Sequence, residues 1–195
     1  NEDLYHKVYV FWDGPLSGKL RYEVYSDYKI SRGKCYLTGV KSKEEDPFYR
    51  HQQLKVKKYL EDLFVRQFED EVCEGDDLIA YYCLNKQPNE KITICTNDRD
   101  ICQFVNDDIR IYLCNSNKKI FLTKENFLEV FGYHHSNVKV IKVITGDSAD
   151  DIKGIKGVQE KTLLTNFPEL KTREMTLDEI LEKAKEIQEE RIKNK

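Results

Sequence analysis

The chain has 195 residues, enough to bury a core without disulfide or zinc staples, so a small cross-linked peptide is excluded. Charged residues make up 34% of it and hydrophobic ones 39%, the balance of a folded protein with a well-charged surface rather than of a disordered chain. The formal net charge of −3 hides an uneven distribution: lysine and arginine collect at 29–43, 50–58 and 153–161, aspartate and glutamate at 69–77, 97–108 and 147–151. That pattern predicts a basic rim around an acidic centre.

Lys7 to Trp12 is a continuous apolar run that suits a strand buried on both faces, and Asp13-Gly14-Pro15 stops it. A basic, tyrosine-rich stretch (Arg21 to Lys34) and a Gly/Ser/Lys loop (33–43) lead to a helix expected over about 46–64. A short strand follows at 65–68. Glu74-Gly75-Asp76-Asp77 opens a short helix to Leu84 with its acids in the first turn. Lys91 to Thr96 is a second buried-type strand, ended by Asn97-Asp98-Arg99-Asp100 and followed by a helix through Val105. Ile109–Leu113 and Lys119–Leu122 read as further strands.

Beyond Thr123 the strand signals stop. Thr123 to Asn126 caps a helix to Phe131, residues 137–145 give another, a Gly- and Lys-rich segment spans 153–161, and a charged helix starts near Leu177. Gly146 to Asp151 is the expected seam between subdomains. Strands alternating with helices, then helices alone, predict an α/β fold with a central, mostly parallel sheet and a helical C-terminal part. No apolar stretch approaches the roughly 18 residues of a spanning helix, and Asn1-Glu2-Asp3-Leu4 does not read as a signal peptide. The expectation is a cytoplasmic protein. The six cysteines (Cys35, Cys73, Cys83, Cys95, Cys102, Cys114) form no CxxC pair and are expected to be reduced and mostly buried.

Four carboxylate groups lie at a strand end or a helix start: Asp13; Glu74, Asp76 and Asp77; Asp98 and Asp100; Asp147, Asp150 and Asp151. Singly, each is explained by turn chemistry or helix capping. Together, at the carboxyl ends of parallel strands, they converge on one crevice, and like charges that close oppose folding unless a cation sits among them. An all-oxygen set suits Mg²⁺ or Mn²⁺ better than Zn²⁺.

These residues resemble the 5′ nucleases, meaning flap endonucleases and the 5′→3′ exonuclease domain of bacterial DNA polymerase I, with phage-type members nearest. The family's Glu-Ala-Asp-Asp helix start is matched by Glu74-Gly75-Asp76-Asp77, and its Thr-x-Asp-x-Asp turn by Thr96-Asn97-Asp98-Arg99-Asp100. Gly146-Asp147-Ser148-Ala149-Asp150-Asp151-Ile152-Lys153-Gly154-Ile155-Lys156-Gly157-Val158 resembles Gly-Asp-x-x-Asp-Asn-Ile-x-Gly-Val-x-Gly-Ile. Phe11-Trp12-Asp13-Gly14 resembles the Phe-Asp-Gly strand end, and Tyr28-Lys29-Ile30-Ser31-Arg32 the Tyr-Lys-x-x-Arg beyond it.

The resemblance implies a PIN-like 5′ nuclease core over 1–122, with a mobile arch or clamp at about 31–50, and a helical part over 123–195 containing a helix–hairpin–helix at about 146–167. It implies a structure-specific nuclease that hydrolyses phosphodiester bonds with two Mg²⁺ or Mn²⁺ ions in DNA replication or repair. Asp13, Glu74, Asp76 and Asp98 would surround the first ion, Asp100, Asp147 and Asp150 the second, with Asp77 serving either. Lys29 and Arg32 would hold the scissile phosphate and Tyr28 would stack on an unpaired base. Lys153, Gly154, Lys156, Gly157 and Lys161 would grip the duplex backbone, with K⁺ at the hairpin. The implied partner is DNA with a 5′ end or flap, or an RNA–DNA hybrid, and the implied protein is a monomer in a bacterial or phage-infected cell.

Two features depart from the family. Its first strand, with an early aspartate, has no counterpart before Asn1, so a chain that starts inside a longer protein is expected. At Gln159-Glu160-Lys161-Thr162 the family continues with Gly-x-Lys, which puts the phosphate or K⁺ site of the hairpin in question. The alternative is a non-catalytic DNA-structure-binding relative that lost one metal ligand. A phosphatase with an aspartyl nucleophile lacks its second aspartate after Asp13-Gly14-Pro15-Leu16, and no stretch fits an EF-hand loop.

Overall fold

A computed structural model describes residues 6–32, 47–115 and 118–193. Contacts divide the chain into two units, residues 1–85 with 149–152, and residues 86–148 with 153–195. The short segment 149–152 thus leaves the second unit and returns to it.

In the first unit, strand β1 (Tyr9–Trp12) runs parallel to β2 (Arg66–Glu69), with Tyr9 opposite Arg66 and Trp12 opposite Glu69. Parallel neighbours need a crossover, and helix α2 (Pro47–Asp62) lies between them in the chain. Two further helices are α1 (Lys19–Val24), which the sequence reading missed, and α3 (Gly75–Leu84). Gly18 at the start of α1 has φ of 89°, a left-handed conformation that glycine adopts without a Cβ penalty. The continuous apolar run of β1 predicted burial on both faces, yet all four of its residues are only half-buried. One face carries the packing: Tyr9 meets Phe68 and Tyr82 at ring distances of 5.6 and 5.2 Å, and Phe11 stacks on Phe68 at 5.3 Å. Tyr82 belongs to α3, so this aromatic cluster fixes the helix against the strand that leads into Asp13.

In the second unit, β3 (Ile92–Thr96) pairs in parallel with β4 (Ile109–Asn115), and β4 pairs antiparallel with β5 (Lys118–Leu122). The helix expected after Asp98 is a 3-10 turn, Asp100–Phe104. Helices α4 (Phe127–Phe131), α5 (Val138–Thr145) and α7 (Leu177–Lys193) follow as the sequence pattern predicted, and α6 (Glu160–Asn166) lies where the resemblance implied the second helix of the hairpin motif. Ile111, Leu122, Phe127 and Leu170 form a closed core with Ile101 and Cys102. Fully buried Asn137 satisfies its polar atoms within that core: Nδ2 donates to the carbonyls of Leu170 and Arg173, and Oδ1 accepts from the Met175 N–H. Strands Gly146–Asp147 (β6) and Ile152–Lys153 (β7) flank residues 148–151.

Cys73, Cys83, Cys95, Cys102 and Cys114 are free thiols, as expected, but only Cys83 and Cys102 are buried. Cys95 and Cys114 point to the open side of the β3–β4–β5 sheet, whose other side faces the core through Ile94 and Ile111. A single covered face, rather than two, exposes them. Among the described residues no helix is long and apolar enough to cross a membrane.

Candidate active site

In the first unit the end of β1 and the start of α3 are built to meet. Asp13 Oδ1 accepts the Gly75 N–H at 2.7 Å, and the Gly14 N–H donates to the Cys73 carbonyl at 3.0 Å. Gly14 leaves no room for a side chain: a Cβ there would lie 1.7 Å from the Asp70 carbonyl oxygen. At the α3 terminus the Glu74 N–H donates to Asp77 Oδ2 at 2.9 Å, so Asp77 satisfies one of the orphan donors of the helix start. Both carboxylates also favour the positive end of the helix dipole.

Three side chains from 21–29 then close over this acidic terminus. Arg21 grips Asp77 with both terminal nitrogens, at 2.7 and 2.6 Å, and approaches Glu74 at 3.8 Å. Lys29 Nζ lies 2.8 Å from Glu74 Oε1 and 3.7 Å from Asp150 Oδ1. The Tyr28 hydroxyl donates to Glu74 at 3.2 Å. Burial, and after it the charges of Glu74 and Asp150, pushes the Tyr28 phenol far above its usual range, so it remains a donor. Burial also works to raise the Asp77 pKa, but the Arg21 hydrogen bonds, the Glu74 N–H and the charges of Arg21 and Lys29 outweigh it and hold it below the ordinary value.

The backbone around these contacts is strained in two places. Lys29 has φ of 52° and Asp151 φ of 59°, conformations that cost a non-glycine residue roughly 1 kcal/mol or more. The bonds that hold them all run from residues 25–31 as donors to 150–151 as acceptors. The Lys29 N–H donates to the Asp150 carbonyl at 3.1 Å, Ser31 donates from N–H and hydroxyl to Asp151 Oδ2, and the Tyr25 hydroxyl donates to the Asp151 carbonyl. The left-handed backbone at 151 explains why aspartate serves where the resembled motif has asparagine, since both tolerate it.

In the second unit the β3 strand ends in a tight turn. The Asp98 N–H donates to Thr96 Oγ1 at 3.0 Å and the Asp100 N–H to Asp98 Oδ1 at 2.8 Å, leaving Asp98 exposed and Asp100 half-buried. Lys142 of α5 pairs with Asp100 and, at 2.6 Å, with Asp147 Oδ2. Asp100 and Asp147 each offer an oxygen within 4.8 Å of the other. Burial alone would lower the Lys142 pKa; its hydrogen bonds with Asp100 and Asp147 more than offset that and raise it.

The hairpin follows directly. The Ile155 N–H donates to the Ile144 carbonyl at 2.8 Å, and a Cβ on Gly154 would sit 2.1 Å from the Thr145 carbonyl carbon, so glycine permits the close approach. Gly157 supplies the turn with φ of 83°. Lys153, Lys156, Gly157 and Lys161 are exposed. Where the family motif would continue with glycine, Gln159 serves as the extended N-cap of α6.

The structure thus gathers Glu74, Asp77 and Asp150 in the first unit, with Asp13 and Asp76 at the same helix start, and Asp98, Asp100 and Asp147 in the second. Tyr28 departs from its expected role: its ring is 3% exposed and lies beneath Lys29, whose Nζ is 4.7 Å from the ring centroid, so no base reaches it. Arg32 closes the 3-10 turn Ile30–Arg32, its side chain and the arch residues 33–46 lying outside the described residues. Sequence reading missed Arg21 and Lys142. A helix-terminal lysine five residues before Asp147 was the available signal for the second; nothing local marked the first.

Parallel strands that end on carboxylates and pass into a helical C-terminal part define a 5′ nuclease fold. The bacteriophage T5 flap endonuclease, crystallised with metal ions, superposes with a TM-score of 0.62 at 19% identity, over 84% of this chain and 61% of its own. Residues 1–132 match the family described as 5′-3′ exonuclease, N-terminal resolvase-like domain, and the chain belongs to that family. Relatives include a 5′-3′ exonuclease of Mycoplasmopsis pulmonis, 29% identical over 157 residues, which cover 78% of this chain and 49% of that protein. DNA polymerase I of Lactococcus lactis is 31% identical over 185 residues, 90% of this chain and 20% of the polymerase. The chain therefore spans about half or less of these curated relatives.

Proposed function

We propose that the protein is a structure-specific 5′ nuclease, a 5′→3′ exonuclease and flap endonuclease that hydrolyses phosphodiester bonds with two divalent ions, Mg²⁺ or Mn²⁺. The observation that carries this reading is the density of carboxylates at the strand ends and the α3 start, with Lys29 paired to Glu74 in one set and Lys142 to Asp100 and Asp147 in the other. The donors fit such ions: they are carboxylate oxygens, no histidine or cysteine is among them, and two of them, on Asp100 and Asp147, stand within 4.8 Å.

Asp13, Glu74, Asp76 and Asp98 would hold one ion, and Asp100, Asp147 and Asp150 the other. Bound ions supply a hydroxide from water and neutralise charge on the attacked phosphate and the leaving oxygen. Asp77, taken up by Arg21 and the Glu74 N–H, keeps the helix start in shape. Lys29, paired with Glu74 in the first acidic set, and Arg32 would hold the scissile phosphate. Gly154, packed on the Thr145 backbone, shapes the hairpin; Gly157, with open space around it, would let duplex backbone approach, and Lys153, Lys156 and Lys161 would add sequence-independent attraction. The hairpin would bind duplex backbone by shape. On this reading the α/β nuclease core is 1–122, and the helical part, 123–195, adds Asp147, Asp150 and the hairpin that grips DNA, because β5 ends at Leu122 and mainly helices follow.

The test is cleavage of a 5′-labelled flap duplex with and without Mg²⁺, beside Asp147→Asn. Mg²⁺-dependent release of label by the wild type, reduced at least about 100-fold in the variant with duplex binding retained, is the expected result. Binding of the flap without cleavage at any divalent-ion concentration would favour the non-catalytic relative instead.

A further inference from the structure

We infer that Lys142 is a displaceable internal cation that competes with a divalent ion for Asp100 and Asp147, and thereby sets how tightly that ion is held. The inference rests on the reading of Asp147 as a metal ligand.

The argument begins with the cost of the carboxylate pair. Two ionised oxygens within 4.8 Å repel each other in a half-buried setting, and the fold needs a positive charge between them in the absence of metal. Lys142 provides it from α5: its ammonium pairs with Asp100 and lies 2.6 Å from Asp147 Oδ2. An ammonium has three donors and faces both carboxylates, with a 2.6 Å hydrogen bond to Asp147. A Mg²⁺ or Mn²⁺ ion held by the same two carboxylates would be repelled by an ammonium lying between them. Ammonium and ion are therefore alternatives at this position.

Displacement is open to Lys142 and closed to its counterpart in the first unit. The side chain of Lys142 is 36% exposed, and a four-carbon stem carries its charge outward without unfolding anything. Lys29, with a side chain 11% exposed and a left-handed backbone, has no such path. The metal-free protein thus keeps the second acidic pair neutralised, at the expense of its affinity for the ion that replaces the lysine.

The experiment is a Mn²⁺ titration of the full 195-residue chain, with free Mn²⁺ followed by electron paramagnetic resonance. Lys142→Met and Lys142→Gln are both expected to bind Mn²⁺ about three- to tenfold more tightly than wild type, the range for partly exposed ion pairs. Lys142→Arg, which keeps the charge, should stay close to the wild-type affinity. In metal-free thermal melts the two neutral variants should unfold at lower temperature and gain more from added Mn²⁺. Unchanged or weaker Mn²⁺ binding in folded Lys142→Met and Lys142→Gln would overturn the inference. Asp147→Asn separates the two levels: if it loses Mn²⁺ while the Lys142 variants gain none, only the role of Lys142 fails; if it binds Mn²⁺ as wild type does, the ligand assignment fails and this inference with it.

Discussion

The two acidic sets are held by different means. In the first unit the carboxylates are fixed by a network of polar contacts, with Arg21 on Asp77, Lys29 and Tyr28 on Glu74, and backbone N–H groups on Asp13 and Asp77, while the only buried apolar side chains among its described residues are Tyr28 and Cys83. In the second unit Asp100 and Asp147 extend from a turn and a helix end that stand on a closed apolar core, and one lysine joins them. Polar networks fix geometry only while every member is present, whereas a packed core tolerates the loss of one surface charge. The first set is accordingly the more fragile and the more rigid; the second is robust and adjustable.

Substitutions should separate the two sets, beginning with the backbone. Gly14→Ala places a methyl group 1.7 Å from the Asp70 carbonyl oxygen, and a loss of about 3 kcal/mol or more is expected in denaturant unfolding. Gly157→Ala has open space around it and pays only for φ of 83°, about 1 kcal/mol. Equal losses at the two positions would break the contrast. Arg21→Ala should remove about 1–3 kcal/mol by leaving Asp77 with a single partner, visible as a lower melting temperature with the hairpin intact.

The Asp77 carboxylate offers a pH test with a defined sign. Its folded pKa is depressed, so the stability it contributes is present above its unfolded value near 3.9 and is lost as pH falls through the lower folded value. The melting-temperature gap between wild type and Asp77→Asn should therefore be full at pH 6 and shrink below about pH 4; a gap that persists unchanged to pH 2 would contradict the pairing. The smallest effect is at the hairpin, where Lys156→Ala should weaken duplex binding a few-fold and lower the slope of log affinity against log salt by about 1. An unaltered slope would remove Lys156 from the phosphate contacts.

Much of this arrangement was legible in the sequence because local chemistry writes it. A carboxylate after an apolar run and an acidic first turn mark a strand end and a helix start, and Asp13, Glu74 and Asp98 were singled out in this way, whereas the hairpin at Gly154 was read from the resemblance to the family motif. What was not legible depends on partners distant in the chain. Arg21 meets Asp77 across 56 positions, and the helix that presents it begins at a left-handed glycine in a stretch without apolar periodicity. Tyr28 read as a surface aromatic because nothing local says that its hydroxyl seats on Glu74. The exposed thiols of Cys95 and Cys114 failed for a related reason: an apolar strand reads as doubly covered whether or not anything packs on its second face.

The most direct test of the account is the number of Mn²⁺ ions bound per chain in the wild type, in Glu74→Gln and in Asp147→Asn. Two ions in the wild type and one in each variant, with Asp147→Asn unchanged in melting temperature and Glu74→Gln lowered, is the predicted result. A variant that keeps both ions, or a wild type that binds none, would contradict the assignment of these carboxylates as metal ligands.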